Sequence, residues 1–149
     1  MTKGELAYNL FLEGYNCSQA VVCAFCDEVG LDRETALKLA SSFGGGMGRM
    51  REVCGAVSGM FMVAGLVCGY SDPKDKEAKR RHYELIQKMA KLFSERNGSI
   101  ICRELLSGVK LTPGAEPTPR NDGFYKKRPC QELVRCAAEI ADEVLFHNK

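Results

Sequence analysis

The sequence predicts an all-α protein, and three observations support that fold class. Apolar residues recur at intervals of three and four over most of the chain. No stretch alternates apolar and polar residues with the period of two that is typical of a strand. Glycine, asparagine and proline stand between the periodic stretches, where helices end and begin. We therefore expect seven helices or fewer, in a single domain over residues 1–149 that is long enough to bury a substantial core.

A glycine-rich helix is expected at the centre of this helical bundle. Residues 53–70 carry no charge and follow a glycine loop at 44–48. Glycine costs roughly 1 kcal/mol relative to alanine inside a helix, so its repeated use favours the close approach of a second backbone. We expect residues 54–69 to form the most buried helix. Two pairs of glycines four residues apart support this prediction, Gly55 with Gly59 and Gly65 with Gly69.

The remaining helices are predicted from their start signals. Asn16 followed by Gln19 has the capping-box pattern, and Asp72-Pro73 combines an N-cap with a proline at the first helical position. Residues 108–129 hold four of the five prolines without an apolar period, which predicts a long irregular loop of the kind that is usually functional or mobile. The predicted helices cover residues 3–13, 17–29, 72–96 and 99–106, with one more after Asp32 and a last one that Pro129 opens.

Charge and hydropathy exclude several classes of partner. A net charge of +2 is too small to indicate nucleic acid or an anionic membrane, and the basic clusters 79–81 and 126–128 are interpreted as solvated faces. Residues 53–70 approach the length of a membrane span, but four glycines, a serine and two cysteines weaken their hydrophobicity, so we expect no membrane insertion. No signal peptide precedes the first apolar run, which favours a cytoplasmic protein. The sequence is compatible with a homodimer and identifies no partner.

The eight cysteines fall into two sets. In a reducing cytoplasm they are not expected to form a disulfide framework. Four of them lie at predicted helix starts, where free N–H groups and the helix dipole favour a thiolate, the form that attacks disulfides and binds metals. These four candidate site residues are Cys17, Cys54, Cys102 and Cys130.

The other four cysteines are interpreted as packing residues. Cys68 follows Cys54 by fourteen residues, about 21 Å along a helix axis, and cannot share its site. Cys23 and Cys26 form a Cys-x-x-Cys pattern, but in mid-helix and without the preceding strand of a thioredoxin-like motif. Cys136 lies six residues beyond the nearest candidate, on another face of its helix.

Several motifs together resemble a known family. The sequence Cys-Gly-Ala-Val-Ser-Gly at 54–59 has the form CGAxxG, and the segments 14–20, 43–48 and 98–102 match in the same order. In these segments and at Cys130 the chain resembles the bacterial and archaeal family named for this cysteine pattern, C_GCAxxG_C_C, whose redox activity is assigned by inference. The resemblance covers nearly the whole chain. It implies four shared cysteines, at Cys17, Cys54, Cys102 and Cys130.

Three functions remain open for these cysteines. They could form one all-thiolate site for an iron–sulfur cluster or zinc, and the N-termini of four helices would stabilise an anionic cluster. They could instead exchange disulfides with an unidentified redox partner, and Cys17 and Cys54 are then the expected redox pair. They could also serve packing alone. Both functional readings require the sulfurs to lie close together, because neither a metal cage nor a disulfide spans a large gap.

Other motifs are less specific. The glycine loop is neither a dinucleotide-binding fingerprint nor a P-loop, and it follows a helix instead of a strand. It could bind an anion with Arg49 and Arg51, or turn the chain tightly into the central helix. His82 and His147 stand apart from any nucleophile, so no Ser-His-Asp or Cys-His arrangement is predicted. The sequence leaves open whether the protein is an enzyme.

Overall fold

The protein is all-α, as predicted. The computed structural model describes residues 1–147, and within this range the chain forms helices and no strands. One isolated antiparallel bridge joins Val53 to Ile101. The chain is divided into more helical segments than the seven expected. They are α1 (Lys3–Leu12), α2 (Cys17–Ala24), α3 (Cys26–Val29), α4 (Arg33–Ala40), the short turn α5 (Gly44–Met47), α6 (Gly55–Cys68), α7 (Lys76–Asn97), α8 (Cys102–Leu105), α9 (Asp122–Lys127) and α10 (Cys130–Asp142).

Helix α6 lies among α2, α7 and α10, and its first half has the predicted close contacts. A β-carbon added at Gly59 would lie 2.9 Å from the carbonyl oxygen of Ser18, which is closer than real β-carbons approach. At Gly55 the corresponding distance to the carbonyl oxygen of Phe43 is 2.7 Å. These two glycines therefore allow the backbones of α6 and its neighbours to meet, and the prediction of a close approach is confirmed for this pair.

The second half of α6 differs from the prediction. A β-carbon added at Gly65 would meet no atom within 4 Å, and Leu66 is 45% exposed. Cys68 is also exposed. The prediction that residues 54–69 form the most buried helix is wrong for the part after Ala64, because α7, which lies beside Cys68, leaves residues 66–69 exposed. Within the described residues, the glycine pair Gly65 and Gly69 therefore does not mark a close contact with another helix.

The core is one cluster of apolar side chains from α1, α2, α4, α6, α7, α8 and α10. Helices α1 and α10 pack against each other and against α2, and α10 also contacts α6 and α7. The amphipathic pattern of α7 directs two of its side chains fully into this cluster. The largest completely buried side chains include Phe11, Phe25, Met60, Met89, Phe93 and Ile140.

Local hydrogen bonds confirm some predicted helix starts and correct others. Asn16 and Gln19 form the capping box of α2, and Asp32 caps α4. Asp72 does not cap α7. Its carbonyl accepts from Asp75 N–H in a preceding turn, and the cap of α7 is Asp75 itself.

Two further helices are shorter than predicted. The predicted helix 17–29 breaks at Phe25, whose φ and ψ of −112° and 7° are not helical. Ser99 does not cap a helix from 99 to 106. Its hydroxyl accepts a hydrogen bond from Ile101 N–H, and α8 begins only at Cys102.

The segment 108–129 is less irregular than predicted because it contains α9, which Asn121 caps. Two arginines connect the remainder to the body of the protein. Arg49 donates to the carbonyl oxygens of Gly114 and Glu116, and Arg120 donates to those of Phe11 and Tyr15. The segment is therefore held on the end of the bundle at which α2 and α6 begin.

Within residues 1–147, no helix combines the length and the apolar character needed to cross a bilayer.

Candidate functional site

The four cysteines predicted at helix starts line one cavity. Cys17, Cys102 and Cys130 are the first residues of α2, α8 and α10, and Cys54 is the N-cap of α6. This cavity, which we call the cysteine cavity, has an empty volume of about 510 Å³ including its mouth. The structure thus brings the four candidate residues together, while their role stays a prediction. The remaining walls are formed by Phe11, Asn16, Gly45, Gly46, Arg51, Gly55, Leu105, Leu106, Arg120, Phe124, Arg128 and Leu133.

A short backbone pairing places Cys54 beside Cys102. The N–H of Cys54 donates to the carbonyl of Ile100 at 2.8 Å, and the N–H of Cys102 donates to the carbonyl of Glu52 at 2.6 Å. These bonds flank the bridge between Val53 and Ile101. Because the pairing involves only a few residues, it leaves no alternating pattern in the sequence, and sequence analysis did not predict it.

Two glycines allow the other backbones to approach the cysteines. A β-carbon at Gly55 would lie 3.1 Å from Cβ of Cys17. At Gly46, which has a φ of 72°, it would lie 2.6 Å from Cβ of Cys102. A positive φ and a close contact together require glycine at this position. The glycine loop and the first glycine of the CGAxxG motif therefore position the cysteines as well as turning the chain.

The thiols of Cys17 and Cys130 each affect the pKa of the other. A hydrogen bond from the Cys17 thiol lowers the pKa of Cys130, and the positive charges of Arg128, Arg120 and Arg51 lower it further against the effect of burial. The same hydrogen bond, together with burial, raises the pKa of Cys17. The predicted redox pair of Cys17 with Cys54 stays a prediction, and these shifts add Cys130 as a further candidate beside Cys17.

The other two cysteines of the cavity hold their protons more tightly. Burial raises the pKa of Cys54 to about 12, although the N–H groups of Ala56 and Val57 favour its thiolate. Burial also raises the pKa of Cys102, against the effect of the neighbouring Arg51. At Cys17, Cys54 and Cys102, desolvation or the neighbouring thiol therefore raises the pKa against the predicted bias of a helix start toward thiolate.

Three arginines in the cavity wall were not identified from the sequence as one group. Arg51 has a φ of 61°, which is uncommon for a residue with a β-carbon, and its Nε and Nη2 atoms are buried without a hydrogen-bond partner. Arg128 is only 9% exposed, so the interpretation of residues 126–128 as a solvated face is wrong for this residue. Arg49, paired with Arg51 in the sequence analysis, contacts the 112–118 segment instead. The sequence does contain a signal that could have identified two of these arginines. Arg51 shortly precedes Cys54, and Arg128 shortly precedes Cys130.

The four thiols match zinc and iron–sulfur clusters in donor chemistry but not in placement. Zinc and such clusters both take thiolate ligands. Within residues 1–147, however, no three His, Cys, Asp or Glu side chains are arranged so that they could hold one metal ion. As placed, the side chains do not fit a mononuclear metal.

The cysteines outside the cavity are not all packing residues. Cys68 is exposed, which contradicts that interpretation for one of the four. Cys23 is buried, and with Cys26 it lines a separate surface cavity. Cys136 is half-buried and accepts a hydrogen bond from Asn97 at 3.3 Å.

The fold and the cavity define an all-α protein with four cysteines at the starts of separate helices. The family model described as "Putative redox-active protein (C_GCAxxG_C_C)" matches residues 15–144. The chain therefore belongs to this family, in agreement with the resemblance noted in the sequence. No curated protein and no solved structure matches the chain.

Proposed function

We propose that the protein exchanges thiols and disulfides at the cysteine cavity, with Cys130 as the attacking thiolate and Cys17 as its partner. One observation carries the proposal: Cys17 and Cys130 begin separate helices and line the same cavity, where arginines and the neighbouring thiol lower the pKa of Cys130. A low thiol pKa gives more of the reactive thiolate at neutral pH. The proposal agrees with membership of a family described as redox-active.

The reaction consumes two protein thiols and one substrate disulfide. Cys130 thiolate attacks a sulfur of R–S–S–R, a Cys130–S–S–R bond forms, and RS⁻ leaves with the electron pair. Cys17 gives its proton to the departing thiolate and attacks the Cys130 sulfur, which releases the second RS⁻. The products are a Cys17–Cys130 disulfide and the reduced substrate. A reductant of the dithiol class reverses these steps and regenerates the protein.

The surrounding residues support this chemistry in different ways. Arg51, Arg120 and Arg128 stabilise negative charge on Cys130. Phe11 and Phe124, in the same wall, limit access of bulk water. Cys54 and Cys102, which keep their protons, would serve as additional thiols to which the disulfide could pass.

Equilibration in glutathione redox buffers tests the proposal. After trapping of free thiols and proteolysis, peptide mass spectrometry should show a Cys17–Cys130 disulfide. Cys17→Ser and Cys130→Ser should each abolish it, whereas Cys68→Ser should leave it unchanged because that thiol lies outside the cavity. Formation of a Cys23–Cys26 disulfide alone, or of none, would contradict the proposal.

A second candidate function is an iron–sulfur or zinc site formed by the same four cysteines. It is supported by four soft donors around one cavity whose wall contains arginines and no carboxylate, a setting suited to an anionic cluster. Binding would require the side chains to move closer together, since their present placement holds no metal ion within the described residues.

Anaerobic purification tests this second candidate. Visible absorbance with iron and sulfide would support a cluster, and colourless protein with one zinc would support a structural site. Cys54→Ser should remove the metal and Cys68→Ser should not. Metal-free, colourless protein from metal-supplemented cells would contradict the candidate.

A further inference from the structure

The wall of the cysteine cavity contains three arginines, and among residues 1–147 the group that opposes their charge there is the Cys130 thiolate, since no carboxylate lines the cavity. Arg51 lies in the wall of the cavity, where its Nε and Nη2 groups are buried and donate to no acceptor within residues 1–147. Arg128 is nine-tenths buried in the same wall, and within the part of the chain that the structure describes it forms no ion pair with a carboxylate. Buried donors without an acceptor are costly and rare in proteins.

Two neighbouring arginines donate to oxygen atoms, whereas Arg51 contacts Cys102 and Arg128 lies 4.7 Å from the centre of the Phe124 ring. Arg120, also in the cavity wall, donates to the carbonyl oxygens of Phe11 and Tyr15. Arg49 contacts the 112–118 segment through both terminal nitrogens. Two guanidiniums of the cavity therefore remain available to an anion.

The remaining wall selects against a hydrated inorganic ion alone. Phe124 and Leu133 contribute apolar surface, and no aspartate or glutamate is among the lining residues. The empty space of about 510 Å³ includes the open mouth of the cavity, so a small ligand would lie partly in that mouth. A ligand with an acidic group and a short apolar part matches this combination.

We propose that the cavity selects small disulfides that carry a carboxylate or another oxyanionic group, which Arg51 and Arg128 bind while the disulfide lies against Cys130. This inference rests on the proposed thiol–disulfide exchange and names the class of its substrate. The paired N–H groups of a guanidinium match the two oxygens of a carboxylate. In the exchange, Cys130 forms a bond to one substrate sulfur, and the acidic thiolate leaves with the electron pair. The acidic disulfide is thus both the oxidant and the bound anion.

Oxidation of the reduced protein by three disulfides of different charge tests the inference. The probes are dithiodiglycolate, which is anionic, 2-hydroxyethyl disulfide, which is neutral, and cystamine, which is cationic. The rate at which each disulfide oxidises the protein is divided by the rate at which the same disulfide oxidises free dithiothreitol. The intrinsic reactivity of the disulfide then cancels. We expect the anionic probe to exceed the neutral one by about tenfold, the factor that about 1.4 kcal/mol of charge-assisted hydrogen bonding gives.

Substitutions identify the source of the preference. Arg51→Gln and Arg128→Gln should each reduce it severalfold, and Arg51→Lys should retain part of it. Arg81→Gln is the matched control, because Arg81 lies on the exposed face of α7 with 65% of its side chain accessible. Circular dichroism identifies any variant that fails to fold. If one of the two glutamine variants is unfolded, the charge preference of the other one tests the inference.

The outcomes separate this inference from the proposed function. If none of the three probes produces a Cys17–Cys130 disulfide, the exchange activity itself is absent. If exchange occurs at equal normalised rates for all three charges, the inference is overturned and the exchange activity stands. A preference that survives both glutamine substitutions would also overturn it, because the anion would then be bound elsewhere.

Discussion

The two ends of α6 carry the same kinds of residue and have opposite environments. At the N-terminal end, Cys54 is 4% exposed and Gly59 contacts the backbone of α2. At the C-terminal end, Cys68 is exposed and Gly65 has no neighbour within 4 Å of an added β-carbon. A cysteine with a pair of glycines four residues apart therefore marks a packed site only where a second backbone approaches it.

The two ends of α6 differ because several structural elements converge on its N-terminal end. The capping box of α2, the bridge between Val53 and Ile101, and the glycine turn α5 all meet there. Each of them also places or contacts a cysteine of the cavity. At the last turn of α6 the thiol of Cys68 donates to the carbonyl of Ala64 and α7 lies beside it, but the residue stays exposed.

The largest expected effect comes from filling the packed groove. Gly59→Leu should lower the free energy of unfolding by about 3 kcal/mol or more, because overpacking typically costs about 1–3 kcal/mol and a backbone carbonyl cannot rotate away. Urea denaturation measures the change. A midpoint close to that of the parent protein would show that α2 and α6 are not in close contact.

Alkylation of Cys68 should be about 100-fold faster than alkylation of Cys54, since the thiolate is the reactive form. Cys54, with a pKa of about 12 and 4% exposure, stays protonated and shielded near pH 8, whereas Cys68 is exposed. As pH falls, Cys130 should retain reactivity longest, because its pKa lies below the ordinary value. Mass spectrometry after timed iodoacetamide treatment from pH 6 to 10 gives the rates. Equal rates at Cys54 and Cys68 would remove the distinction between the two ends.

The smallest effect is expected at the open glycine. Gly65→Ala should raise the free energy of unfolding by up to about 1 kcal/mol, because alanine is favoured over glycine in a helix and the added methyl group meets nothing. The same urea experiment serves as the measurement. A loss of stability as large as that of Gly59→Leu would mean that an unrecognised partner covers the C-terminal end.

Much of the helical structure was predictable because it depends on local signals. The capping box at Asn16 and the cap at Asp32 are contacts between residues three apart, and both are present in the structure. The errors lie where two local signals compete. Asp72 was predicted as the cap of α7, but its carbonyl closes a turn with Asp75, and Asp75 caps the helix.

The sequence by itself determined the fold class, the central helix and the positions of four cysteines at helix starts, because periodicity and caps act over a few residues. Tertiary structure alone decided which groups surround those cysteines. The bridge beside Cys54, the burial of Arg128, and the coupling of Cys17 with Cys130 join segments far apart in the chain. Burial and charge at such junctions depend on every neighbouring element at once, so the chemistry of the thiols differs from what their helix positions alone predicted.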